Sequence, residues 1–183
     1  MAQKFNYALT RAFDLLLAPL VSGYFVTVFS AFAAYQRQRQ SADLAAASAD
    51  VIVANADFIG GFGLWVDSKG LLHHTYSLLG VETYRQVASE KLPAGDVTVR
   101  MLFQSDKPMP GSGGKITLFI NDKTVGEGIM PMTVPLAFSS YSGMDIGRDN
   151  GLVVDLEYED KAPYAFTGTV KKVVFDLMPL THE

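Results

Sequence analysis

Between Asp96 and Ser105 the chain alternates with a period of two. Val97, Val99, Met101 and Phe103 share one parity, and Asp96, Thr98, Arg100 and Gln104 share the other. In an extended strand this puts those four apolar side chains on one face and those four polar ones on the other. A sheet with one buried and one wet face must cover its apolar side with another layer, which for strands in short succession is a second antiparallel sheet.

The neighbouring segments repeat the signal. An apolar run opens at Val51-Ile-Val and stops at Gly60-Gly61. Phe62, Leu64 and Val66 then alternate with Gly63 and Trp65 up to a hairpin turn at Asp67-Ser-Lys-Gly70. Strands are expected from Leu71 toward Leu79 and from Val81 to Ala88. Ile116, Leu118 and Ile120 point inward, Asn121-Asp-Lys123 turns, and Thr124 to Met130 returns. Lys107 to Gly114 reads as an irregular loop, Pro131 and Pro135 bracket an edge-like segment, Met144 to Gly147 is a brief strand, and Asp149 to Pro163 is a polar connection. Val173, Phe175 and Leu177 close the structure. About nine strands without a long helix between them predict a mainly β, antiparallel two-sheet sandwich over residues 51–183.

Residues 1–50 read differently. Leu15 to Tyr35 contains no charged residue, and as a helix rising about 1.5 Å per residue it would cross a hydrocarbon core of roughly 30 Å. The main expectation is an N-terminal hydrophobic helix that anchors the chain in a membrane, followed by an alanine-rich spacer from Gln36 to Asp50. Lys4 and Arg11 before the segment and Arg37 and Arg39 after it leave its orientation open. Two other readings fit: a secretory signal with small residues at Ser30-Ala-Phe-Ala33, and an apolar element packed on the sandwich. The expected location is the cell envelope, membrane-anchored, secreted or periplasmic.

Five phrases in one order, Gly61-Phe-Gly-Leu-Trp-Val-Asp67, Leu92-Pro-Ala-Gly95, Val125-Gly-Glu-Gly128, Asp145-Ile-Gly-Arg-Asp149 and Phe166-Thr-Gly-Thr-Val170, carry a resemblance. Together they resemble the C-terminal β-sandwich domain of large bacterial arylsulfatases. The resemblance implies a concanavalin- or laminin-G-like roll and an accessory, noncatalytic role. In the resembled domain a further strand precedes the equivalent of Val51-Ile-Val and lies near the final strand. Here the alanine-rich spacer stands in that place, so the last strand is expected to present an unpaired edge.

Catalysis finds little to work with. The nucleophile of the resembled sulfatases lies in a Cys- or Ser-x-Pro-x-Arg sequence, and this chain has no cysteine and no Ser-x-Pro-x-Arg. There are three histidines. His73 and His74 are adjacent on an expected strand and face opposite sides of it, and His182 is in the terminal tail. Gly111-Ser-Gly-Gly114 lacks the lysine and helix of a phosphate loop, and no G-x-S-x-G elbow is present. A net charge of −4 with scattered lysines and arginines excludes a basic stripe for nucleic acid.

Binding offers more candidates. Trp65, the single tryptophan, sits on the face opposite Phe62, Leu64 and Val66. It reads either as a buried or interface residue or, with Tyr76 or Tyr84, as a platform on which a sugar stacks. Laminin-G-like rolls often bind calcium at rim carboxylates, which makes Asp145, Asp149 and Asp155 the candidate ligands. The simpler reading is a turn at Asp149-Asn-Gly151 and a solvated acidic face from Glu157 to Asp160.

Two functions follow as expectations. The first is a noncatalytic module that packs or docks at the cell envelope, with a sulfatase-type catalytic domain as partner. The alternative is a carbohydrate-binding module with a glycan as partner, or a fragment of an arylsulfatase that carries no active site.

Overall fold

The protein is described from a computed structural model, which describes residues 21–31, 49–57, 60–135, 143–150, 152–161 and 164–179. Among the described residues, ten strands fill two antiparallel sheets of five. In chain order they are β1 (Val21–Ala31), β2 (Asp50–Asp57), β3 (Gly60–Val66), β4 (Leu71–Leu78), β5 (Glu82–Lys91), β6 (Asp96–Ser105), β7 (Gly114–Ile120), β8 (Lys123–Met130), β9 (Met144–Ile146) and β10 (Thr169–Pro179). One sheet runs β5-β4-β3-β2-β9 and the other β10-β1-β6-β7-β8. A short 3-10 helix, Leu156–Lys161, lies between β9 and β10.

The expected alternation is realised in β6, where Val97, Val99, Met101 and Phe103 are buried and Asp96 and Gln104 are exposed. Their side chains meet Phe62, Leu64, Val66 and Leu72 of the other sheet in one apolar core. Two turns follow from local chemistry. Asp67 Oδ1 accepts from the amides of Lys69 and Leu71, and Gly70 takes a positive φ to close that hairpin. Asn121 and Asp122 both adopt positive φ, the geometry of a two-residue turn matched to the twist of β7 and β8.

Three expectations need correction. Residues 21–31 of the supposed membrane helix form strand β1, paired with β10 on one side and β6 on the other. The physical reason is composition: Tyr24 to Phe29 is aromatic or β-branched throughout, and a central strand reads as a continuous apolar run that periodicity cannot separate from a helix. No helix among the described residues is long and apolar enough to cross a membrane. The rest of that apolar segment, and nearly all of the alanine-rich spacer, lie outside the described residues.

The second correction concerns the supposedly missing strand. β1 occupies the position beside the last strand, with Val28 opposite Val173 and Val26 opposite Phe175. It enters the sandwich from ahead of Val51, where the domain boundary was expected.

The third is the connection from Asp149 onward. It is a strap across the outer face of the β3 sheet that buries Val154, Asp155 and Tyr158, while Glu157 and Glu159 stay exposed as the expected solvated acidic face. The Val51 amide donates to Tyr164 O, and the Phe166 amide donates to Gly147 O, so the strap is tied at both ends.

Candidate functional site

Beneath the strap lies a second, smaller apolar cluster of Ala49, Val51, Ala54, Ala56, Trp65, Val154 and Tyr158. Trp65 faces outward from β3, as its parity requires, but the strap covers it and only 2% of its surface is exposed. Its ring stacks on His73 with centroids 4.1 Å apart and meets the edge of Tyr158 at 5.2 Å. The indole N–H donates to Thr75 Oγ1 at 3.0 Å, and the Thr75 hydroxyl donates to Asp155 Oδ2 at 2.7 Å. Arg85 completes the chain, donating to both oxygens of Asp155 at 2.8 and 2.6 Å.

These contacts decide what the carboxylates can do. Burial raises the Asp155 carboxyl, but the hydrogen bonds from Arg85, the Glu157 amide and Thr75 outweigh it and hold the group below the usual range. Asp149 is pushed up, first by burial, although it accepts from the Tyr158 hydroxyl at 2.6 Å and the Val154 amide at 3.1 Å. Asp145 accepts from the amide and side chain of Asn150. The three candidate calcium ligands thus each serve a different local set of donors. Among the described residues no three histidine, aspartate or glutamate groups converge where a cation would sit.

The three expected sugar contacts are also separated. Phe62 pairs with Tyr76 and Trp65 with His73, so Trp65 and Tyr76 stand on opposite faces of the sheet. Tyr76 is buried in the main core, where its oxygen accepts from the Val134 amide at 2.8 Å and burial pushes its hydroxyl up to about 12. Tyr84 alone remains half exposed, with its hydroxyl donating to Glu82.

Tyr84 borders a cleft where the free edges of the two sheets, β5 and β8, come together. The cleft is lined by His74, Tyr84, Arg85, Gln86, Ile116, Gly128, Ile129 and Met130, and holds a cavity of about 20 Å³. That is room for one water or one hydroxyl-sized group. His74 points to the core side of β4, opposite Leu64 and Gln86. It is 1% exposed, its Nε2 makes no hydrogen bond, and burial lowers the imidazole to about 4, so it is neutral at ordinary pH. A buried unpaired ring nitrogen is costly, and such a group calls for a partner that enters from outside.

Gln86 reaches this cleft because β8 presents glycine. A Cβ on Gly128 would stand 1.9 Å from Gln86 Oε1, and one on Gly126 would stand 3.0 Å from Val87 O. Val125-Gly-Glu-Gly128 reads in the sequence as the arm of a hairpin. Glycines inside a strand are nevertheless the available signal of a close approach, and here they mark the one between sheets. His74 and Gln86 were not among the expected site residues.

Comparison with known proteins supplies the fold relationship. No family model matches the chain, and no curated protein matches it. Solved structures do. The chain is similar to the Ruminococcus gnavus IT-sialidase CBM40 bound to alpha2,3 sialyllactose, at 12% identity and a TM-score of 0.54, over 90% of this chain and 80% of that one. The same module bound to alpha2,6 sialyllactose matches at 11% identity and a TM-score of 0.52, over 90% and 81%. The native heptameric SAP-like pentraxin from Limulus polyphemus matches at 14% identity and a TM-score of 0.50, over 90% and 68%. At these identities the likeness is one of fold, a two-sheet β-sandwich. These neighbours are a pentraxin and a sialidase module, not arylsulfatase C-terminal domains.

Proposed function

We propose that this chain is a noncatalytic carbohydrate-binding β-sandwich, and that the cleft between β5 and β8 is where it meets its sugar. The observation that carries the reading is His74, a buried neutral imidazole with an unpartnered Nε2 in the lining of a surface cleft beside the Tyr84 ring. A sugar hydroxyl both donates and accepts, so it satisfies either tautomer of that ring. The ring of Tyr84 provides apolar surface for the sugar face, and the Gln86 amide offers a donor and an acceptor to a neighbouring hydroxyl. The fold likeness to a sialidase module solved with sialyllactose supports the same reading.

The accessory-domain reading, with a sulfatase-type catalytic domain as partner, has no counterpart among these neighbours. It is the weaker of the two.

The test is a glycan array probed with the intact chain, followed by calorimetry on the strongest ligand. Tyr84→Ala and Gln86→Ala are expected to weaken that ligand about tenfold each, in proteins whose unfolding midpoint is close to that of the wild type. An array without signal from folded protein would refute the proposal. Unchanged affinity in both variants would move the site elsewhere.

A further inference from the structure

We propose that the cleft between β5 and β8 takes an uncharged sugar and turns away acidic ones, with Glu82 as the discriminating group. The proposal rests on the glycan reading and names the class of sugar that the cleft admits. Its basis is the set of side chains that β5 turns toward the cleft and the set it turns away.

Parity divides the strand in two. Glu82, Tyr84 and Gln86 stand opposite Leu78, Tyr76 and His74, which lie on the core side of β4. All three therefore project along the mouth between the sheets, in a row that holds a carboxylate, a phenol and an amide. Thr83 and Arg85 stand opposite Ser77 and Thr75 and belong to the outer face. Among the described residues that line the cleft Arg85 alone is cationic. Its guanidinium is committed on that outer face, where it donates to both oxygens of Asp155 and lies 3.4 Å from Glu157. The facing wall, from Ile116 on β7 to Gly128, Ile129 and Met130 on β8, is apolar.

The charge at the rim separates one class of sugar from another. The Tyr84 hydroxyl donates to Glu82, which fixes a negative charge beside the ring on which the sugar stacks. A sugar bearing a carboxylate meets a like charge there, with Arg85 already held by two carboxylates on the other side of the strand. Like charges a few ångströms apart at a protein surface correspond to a loss of about tenfold or more in affinity. A neutral sugar meets useful partners at the same places. Glu82 accepts from its hydroxyls, Gln86 both donates and accepts, and the cavity of about 20 Å³ beside His74 admits one hydroxyl. Rejection of the wrong ligand by a placed repulsive group is a common source of specificity.

The test is an array of matched pairs, galactosides with and without a terminal sialic acid and glucosides beside the corresponding glucuronides. The intact chain is expected to bind the neutral member of its preferred pair about tenfold or more above the acidic one. Glu82→Gln keeps the size of the side chain and removes its charge, and it should narrow that ratio about tenfold. Glu82→Lys should narrow it further by drawing the acidic member in. Glu82 is exposed, and the unfolding midpoint of each variant controls for folding. Equal or stronger binding of the acidic members by wild type would overturn this proposal and leave the glycan reading standing. A preference for neutral sugars that Glu82→Gln does not alter would overturn the role of Glu82. Folded protein silent on every pair would overturn the glycan reading, and this proposal with it.

Discussion

Arg85 on β5 and Asp155 on the strap meet in a two-point ion pair across seventy residues of sequence, and through it the strap is fixed to the sheet it covers. The Asp155 side chain is fully buried, whereas the guanidinium is one-third open to water. Removing the arginine leaves a buried carboxylate with Thr75 and one amide. Arg85→Ala is therefore expected to lose about 2–3 kcal/mol in urea unfolding, less than a fully buried pair would, because water reaches the guanidinium. The folded state holds Asp155 below its ordinary value. Its contribution is thus present above the unfolded carboxyl range and disappears as pH falls through the folded value, and Arg85→Ala should flatten that part of the acid limb.

His74 predicts a separate acid sensitivity. Its imidazole is lowered to about 4 by burial alone, with no charged neighbour contributing. From an unfolded value of about 6.5 down to about 4, the unfolded chain takes up a proton that the native chain does not. Stability should fall with pH through that window by up to about 3 kcal/mol and level off below it. His74→Leu should remove this slope. The measurement is the difference in unfolding free energy between the two proteins from neutral pH to pH ~4.5.

Gly61 and Gly63 share strand β3 but have unequal surroundings. A Cβ at Gly61 would sit 2.1 Å from the Asn55 carbonyl oxygen, a backbone atom, whereas one at Gly63 would first meet Val53 O at an ordinary 3.5 Å. Gly61→Ala should cost about 3 kcal/mol or more by forcing β2 and β3 apart, and Gly63→Ala under about 1 kcal/mol. Thermal unfolding of the pair distinguishes a close approach from a generic preference for glycine.

Trp65 and Tyr84 should separate stability from binding. Trp65→Ala empties the cluster under the strap and removes the indole donor to Thr75, so a loss of about 3–5 kcal/mol is expected, with sugar affinity of the remaining folded protein unchanged. Tyr84→Ala should do the reverse. Parallel calorimetric titration and chemical denaturation of the two variants checks this.

The legible and illegible parts of the molecule differ for physical reasons. Strands with one wet face, such as β6, announce themselves by parity, and the turn at Asn121 and Asp122 announces itself by residue type. β1 lies between β10 and β6, and its apolar run carries no alternation that would tell it from a helix. Trp65 was assignable to the outer face of β3. What covers that face was not, because the covering residues, Val154 and Tyr158, arrive after six more strands, three of them in the other sheet. In the candidate site only Tyr84 was foreseen. The isolation of His74 Nε2 depends on which strands surround it, a property no single segment encodes.

The position of β1 carries a kinetic consequence. It is first of the described strands, β10 is last, and they are hydrogen-bonded neighbours, with Tyr24 opposite Leu177. Closing that sheet requires the largest loop the described chain can form, so its entropy is lost before the pairing energy is gained. Refolding should accordingly run through a species in which β1, β6, β7 and β8 are assembled while the far side of β1 stands bare. During synthesis the same strand waits until nearly the whole chain has emerged, which makes this interval the one in which the protein most needs protection from aggregation.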